Sequence, residues 1–108
     1  MTRETNPPPG DPAASARREA EVYRQLRDVV DPELDLDIVR LGLVYDVDVR
    51  DGEVGITMTF TSRGCPLGPA IEAGVRRVVD ELEWVKATNI RIVWSPPWNP
   101  GMIERDQA

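Results

Sequence analysis

Leu43-Val44-Tyr45-Asp46-Val47-Asp48-Val49-Arg50-Asp51-Gly52-Glu53-Val54-Gly55-Ile56-Thr57-Met58-Thr59-Phe60 alternates apolar and polar residues on both sides of Asp51-Gly52. A period of two is that of a half-buried strand, and Asp-Gly supplies the backbone of a tight two-residue hairpin turn. With those two residues as the loop, Val49 faces Val54, Val47 faces Ile56, Tyr45 faces Met58 and Leu43 faces Phe60, so every pair on one face is apolar. The opposite face carries Val44, Asp46, Asp48 and Arg50 against Gly55, Thr57, Thr59 and Thr61. A slip of one residue would exchange the faces, so pattern and turn specify the same register.

Outside the hairpin the period changes. Ser15 is a suitable N-cap, and Val22, Tyr23, Leu26, Val29 and Val30 follow at helical spacing until Pro32 ends the run. Pro69 near a first turn, then Ile71, Val75, Val78 and Leu82 among charged residues, predict a second amphipathic helix ending near Leu82. Ile90, Ile92 and Trp94 alternate with Arg91 and Val93 as a third strand, which Pro96 and Pro97 terminate. The expected fold class is α+β: two layers in the order helix-strand-strand-helix-strand, with a small three-stranded sheet and both helices on its apolar face. Residues 1–14 hold four prolines and little apolar surface and are expected to form a disordered arm. Residues 15–103 form the domain and 104–108 a tail.

A chain of 108 residues accommodates one modest core. It contains no His and one Cys, which excludes a Ser-His-Asp triad, a histidine base, an internal disulfide and a self-contained four-thiolate cluster. The net charge of -6 argues against nucleic acid as a partner. No apolar stretch approaches the roughly 20 residues that span a bilayer, and no leader pattern opens the chain, so no membrane partner and a cytoplasmic location are expected. The Gly-x-x-x-x-Gly-Lys pattern is absent and no nucleotide is expected.

Three segments hold the residues able to do chemistry. In Thr59-Phe60-Thr61-Ser62-Arg63-Gly64-Cys65-Pro66 the only thiol sits between a strand and a helix N-terminus, where the helix's positive end and Arg63 favour thiolate. Cys65 is then a soft-metal ligand or nucleophile; the alternative is a small hydrophobe plugging the loop. Asp31-Pro32-Glu33 is either a helix stop and turn or a source of oxygen ligation and proton acceptance near Cys65. Thr61, nearest the thiol, is the one threonine of its row expected to donate to a ligand. In Trp94-Ser95-Pro96-Pro97-Trp98-Asn99-Pro100, Trp94 is expected in the core, and Trp98 either packs over an edge or covers the Cys65 loop.

Together these segments are recognisable. Asp31-Pro32-Glu33-Leu34, then Asp37-Ile38-Val39 and Leu41-Gly42-Leu43-Val44-Tyr45, then Met58 to Ser62 with Cys65-Pro66-Leu67, and Pro96-Pro97-Trp98-Asn99-Pro100 resemble the SufT/PaaD-like family of metal-sulfur cluster assembly proteins, over about residues 17–103. The resemblance implies a non-enzymatic accessory or carrier role in maturing iron-sulfur proteins, with Cys65 as functional thiol and metal ligand and Asp31 close to it. Asp31, Glu33, Thr61, Arg63 and Cys65 are the expected binding residues for a transient iron-sulfur cluster or iron. Assembly machinery, client apoproteins and a second copy of the chain are the expected partners. PaaD-type members carry an additional Cys-rich C-terminal segment, so its absence here favours a stand-alone, SufT-like member. Arg63-Gly64 before Cys65 departs from the family pattern.

Two other functions compete. One is a metal-free interaction subunit supporting a multicomponent, oxygenase-type metalloenzyme through the acids of residues 31–53 and the Pro-Trp segment. The other is a thiol enzyme using Cys65, which lacks both a histidine base and a resolving cysteine.

Overall fold

A computed structural model describes residues 12–64 and 66–104. Its elements run α1 (Pro12–Leu26), β1 (Val30–Asp31), β2 (Leu36–Asp37), β3 (Val44–Arg50), β4 (Glu53–Met58), α2 (Gly68–Asp80), β5 (Ala87–Ile92) and a 3-10 turn at Pro100–Met102. The fold is α+β, as the sequence predicts. β3, β4 and β5 form one sheet in that order. β3 and β4 are antiparallel, whereas β5 returns parallel to β4 through α2 as a βαβ unit. α1 packs on β3 and α2, and α2 on β5.

Asp51 (φ 53) and Gly52 (φ 85) make the two-residue turn with left-handed backbone at both positions. Val49 pairs with Val54 and Val47 with Ile56, as expected. Beyond Asp46 and Thr57 the ladder departs from the expected register: Val44, not Tyr45, pairs with Met58, so Tyr45 sits in a bulge. The bulge releases Tyr45 to donate its hydroxyl to the Pro96 carbonyl at 2.7 Å. Leu43 pairs by backbone with Thr59 rather than facing Phe60. Thr59 is consequently buried and lies outside the row of threonines expected on the open face.

Val22 and Leu26 of α1, Val47, Val49, Val54, Ile56 and Met58 of the hairpin, and Ile71, Val75, Val78 and Val79 of α2 form the core with Val29, Ile38, Leu41 and Leu43. Burial of fifteen such side chains supplies the main driving force of a domain this small.

Five boundaries are corrected. α1 ends at Leu26, so Val29 and Val30, counted in its helical run, lie beyond it, and Val30 enters β1. α1 begins at Pro12 rather than Ser15, because Pro suits a first helical position and Ala14, inside the helix, is buried. Residues 1–11 of the expected arm and 105–108 of the expected tail lie outside the described residues. Glu104, placed in the tail, is tied in by its N–H to the Arg40 carbonyl at 2.7 Å. α2 stops at Asp80, the Leu82 N–H reaching the Val79 carbonyl in a last turn. β5 is displaced toward Ala87 and leaves Trp94 beyond its end, half-buried.

Candidate functional site

The Asp31-Pro32-Glu33 segment is not a helix stop, because α1 has already ended at Leu26. It forms the tip of a short hairpin in which Val30 pairs with Asp37 and Asp31 with Leu36, the second small sheet that the sequence pattern did not reveal. Pro32 lacks a donor and sits in the tip, where none is needed. Asp35 closes it with φ 58, and its N–H reaches the Asp31 carbonyl at 2.7 Å.

Within this tip Asp31 is only 2% exposed. Its Oδ1 accepts the Glu33 N–H at 2.9 Å, the one hydrogen bond its carboxylate receives from the described residues. A carboxylate bearing four lone-pair directions and one donor is under-satisfied for its burial. Glu33 is exposed; it contributes its backbone N–H to Asp31. Around the tip Val30 and Leu34 stand out as large apolar residues exposed by 47% and 44%.

Three backbone hydrogen bonds connect this tip to the start of the thiol loop. The Ile38 N–H donates to Val29 O (2.9 Å), Leu43 N–H to Ile38 O (3.0 Å) and Thr59 N–H to Leu43 O (2.9 Å). Val29, at the foot of the tip, also lies beside Gly74 of α2, where a Cβ would be 3.5 Å from it.

The loop after β4 is braced at its ends. Phe60 lies against Gly68, the first residue of α2, where an added Cβ would be 3.2 Å from the ring. Phe60 also meets Trp94 with ring centroids 6.1 Å apart. The Arg63 guanidinium stacks over Trp94 at 4.8 Å, in the range of a cation–π contact. Trp94 is thus a clasp for the loop, a role that alternation alone, which counts it as core, does not reveal. Leu67 is the N-cap residue of α2 and gives no side-chain cap, so the first N–H groups of the helix point toward the loop without a side-chain acceptor. Thr61 is half-buried in the loop. Cys65 itself lies outside the described residues, and its expected proximity to Asp31 with it.

The Pro-Trp segment is placed as a strap. Trp98 donates its indole N–H to the Leu41 carbonyl at 2.7 Å, Tyr45 holds Pro96, and the Glu104 N–H holds Arg40. Gly42, at φ +81, runs so close that a Cβ would lie 2.5 Å from the Met102 carbonyl. Trp98 therefore packs over the Leu41–Tyr45 segment, the edge alternative of the sequence reading.

As a donor set the described residues contain no group of three or more His, Cys, Asp or Glu able to hold a metal. With one Cys and no His in the chain, a cluster would need most of its ligands from elsewhere. No described helix is long and apolar enough to cross a membrane.

The same architecture recurs among known proteins. A family model described as iron-sulfur cluster assembly protein matches residues 19–92. The chain is 54% identical over 81 residues to the Fe-S protein maturation auxiliary factor YitW of Bacillus subtilis, covering 74% of this chain and 79% of that protein. It is 51% identical over 78 residues to the Fe-S protein maturation auxiliary factor SufT of Staphylococcus aureus, covering 71% and 89%. Among solved structures, a domain of unknown function, DUF59, from Bacillus anthracis superposes with a TM-score of 0.84 at 38% identity, covering 88% of this chain and 92% of that one. The matched region includes the under-satisfied Asp31, the Phe60–Gly68 brace and all five strands, and the chain belongs to the iron-sulfur cluster assembly protein family.

Proposed function

We propose that this protein is an iron-sulfur maturation factor that holds iron or a cluster transiently at Cys65 and passes it to client apoproteins. It performs no catalytic step of its own. The observation that carries the reading is the buried Asp31 carboxylate, which has one donor from the described residues and so retains acceptor capacity. On this reading a hard oxygen ligand of this kind acts together with the soft Cys65 thiolate, a mixed set that suits a loosely held iron that must leave again. The maturation auxiliary factors it resembles support the same role.

Ligand arithmetic explains why delivery fits better than storage. A two-iron cluster takes four protein ligands, usually thiolates, and one chain offers a single thiol. The remaining positions fall to a second copy, small thiols or the recipient. Arg63, fixed over Trp94, places positive charge in the loop that precedes the thiol and lowers the cost of gathering anionic ligands there.

Anaerobic reconstitution with iron and sulfide, followed by desalting, tests this. The wild type is expected to retain iron with charge-transfer absorption, and Cys65→Ser to lose both. Equal retention by Cys65→Ser would overturn the reading. A stable metalloenzyme partner captured by an iron-free chain would favour the metal-free interaction subunit.

A further inference from the structure

Among the described residues the three-stranded sheet is covered on one face only. On the other, the register lines up Asp46, Thr57 and Arg91 in one row, Asp48, Gly55 and Asn89 in the next, and Arg50, Glu53 and Ala87 in the third. Both helices pack on the opposite face, with Val47, Val49, Val54 and Ile56. The open face has a graded charge: acids on β3 at one edge, Arg91 on β5 at the other. Its middle is low, because Gly55 has no side chain and a Cβ there would meet only Asp48, at 3.9 Å. Among the described residues Arg91 has no carboxylate in ion-pair contact, whereas Arg50 is held by Asp48 at 3.3 Å.

We propose that a second copy of this chain docks on this open face, sheet against sheet, about a twofold axis parallel to β4. That axis sends each β3 over the partner's β5 and leaves each β4 over its own copy. Asp46 then meets the partner's Arg91, and the partner's Asp46 meets Arg91, giving two symmetric ion pairs at the rim. Gly55 and Thr57 meet their own counterparts, where small side chains permit the roughly 10 Å spacing of stacked sheets. Glu53 meets Glu53 at the far end, beside Arg50 of each chain. An axis perpendicular to the strands would instead set Asp48 on Asp48 and leave Arg91 unneutralised, so charge selects the first arrangement.

The arrangement has a consequence for the site. A twofold axis parallel to β4 preserves the strand's direction, so both segments following Met58 leave the sandwich at the same end. This inference rests on the carrier reading for its purpose, since the ligand set of one chain is incomplete. The patch measures about 14 by 20 Å from strand spacing and rise. That is small beside the roughly 800 Å² each partner contributes to a stable complex, so the dimer is transient.

Sedimentation of the iron-free full chain over a wide concentration range, up to several hundred micromolar, tests it. Arg91→Glu and Asp46→Arg are each expected to weaken association by about threefold to tenfold, and the double charge swap to restore it. Circular dichroism confirms that all three variants fold, as both positions are exposed. A chain monomeric at every concentration, or single variants that associate like the wild type, or a double swap that stays weak, would overturn the proposal. Iron retention reads out separately. Charge-dependent association without Cys65-dependent iron would leave this dimer standing and sink the carrier; Cys65-dependent iron in a chain indifferent to the charges would do the reverse.

Discussion

The indole N–H of Trp98 donates to the main-chain carbonyl of buried Leu41 at 2.7 Å, joining two motifs 57 residues apart in sequence. Replacing the indole by a phenyl ring keeps most of the apolar contact but strands that carbonyl. Trp98→Phe is expected to cost about 1–3 kcal/mol, seen as a melting temperature lower by roughly 5–15 °C. An unchanged melting temperature would mean that the strap is not fastened at this point.

Gly42 is fastened in the same place from the other side. With φ at +81 and the Met102 carbonyl 2.5 Å from where a Cβ would stand, there is no room for alanine. Gly42→Ala is expected to destabilise by more than the roughly 1 kcal/mol of left-handed backbone strain alone, as measured by urea unfolding.

Ile56 lies at the centre of the core, 1% exposed and paired with Val47 on one side and Ile90 on the other. Ile56→Asp buries an unpaired charge among aliphatic side chains, which costs several kcal/mol against a total stability of about 5–15. Loss of the cooperative thermal transition is the expected result.

Asp31→Asn separates architecture from ligation. The amide oxygen keeps the acceptor for the Glu33 N–H, so the tip is expected to fold with stability close to the wild type. The loss of negative charge is expected to lower iron retention in the reconstitution assay several-fold. Normal retention would remove Asp31 from the site.

Tyr23 sets an alkaline limit. Its pKa is raised, first by burial and then by the charges of Asp46 and Glu19. A raised folded-state pKa means that the folded chain holds the proton more tightly than the unfolded chain. That contribution is fully present below the ordinary value of about 10 and is lost as pH rises through the higher folded value. Stability is expected to fall in that window, and Tyr23→Phe to flatten the fall in denaturation curves taken across it.

Local chemistry determined much of this protein. The Asp51-Gly52 turn, the pairing of Val47 with Ile56 and the two amphipathic helices follow from side-chain period and turn residues, which act over a few neighbours. The residues of the Asp-Pro-Glu and Cys-Pro motifs are equally legible as a set. What only the tertiary structure decided are contacts between segments distant in sequence. Tyr45 leaves the alternating pattern because its hydroxyl has a partner in Pro96, some fifty residues away. The β1–β2 ladder is two residues long, too short to carry a period. Trp94 reads as core by alternation but ends up between Phe60 and Arg63, because β5 is registered on β4 several residues earlier than its own pattern implies. Asp31 is buried because its hairpin folds back beside the core, and no residue type or spacing in Asp31-Pro32-Glu33 specifies that burial.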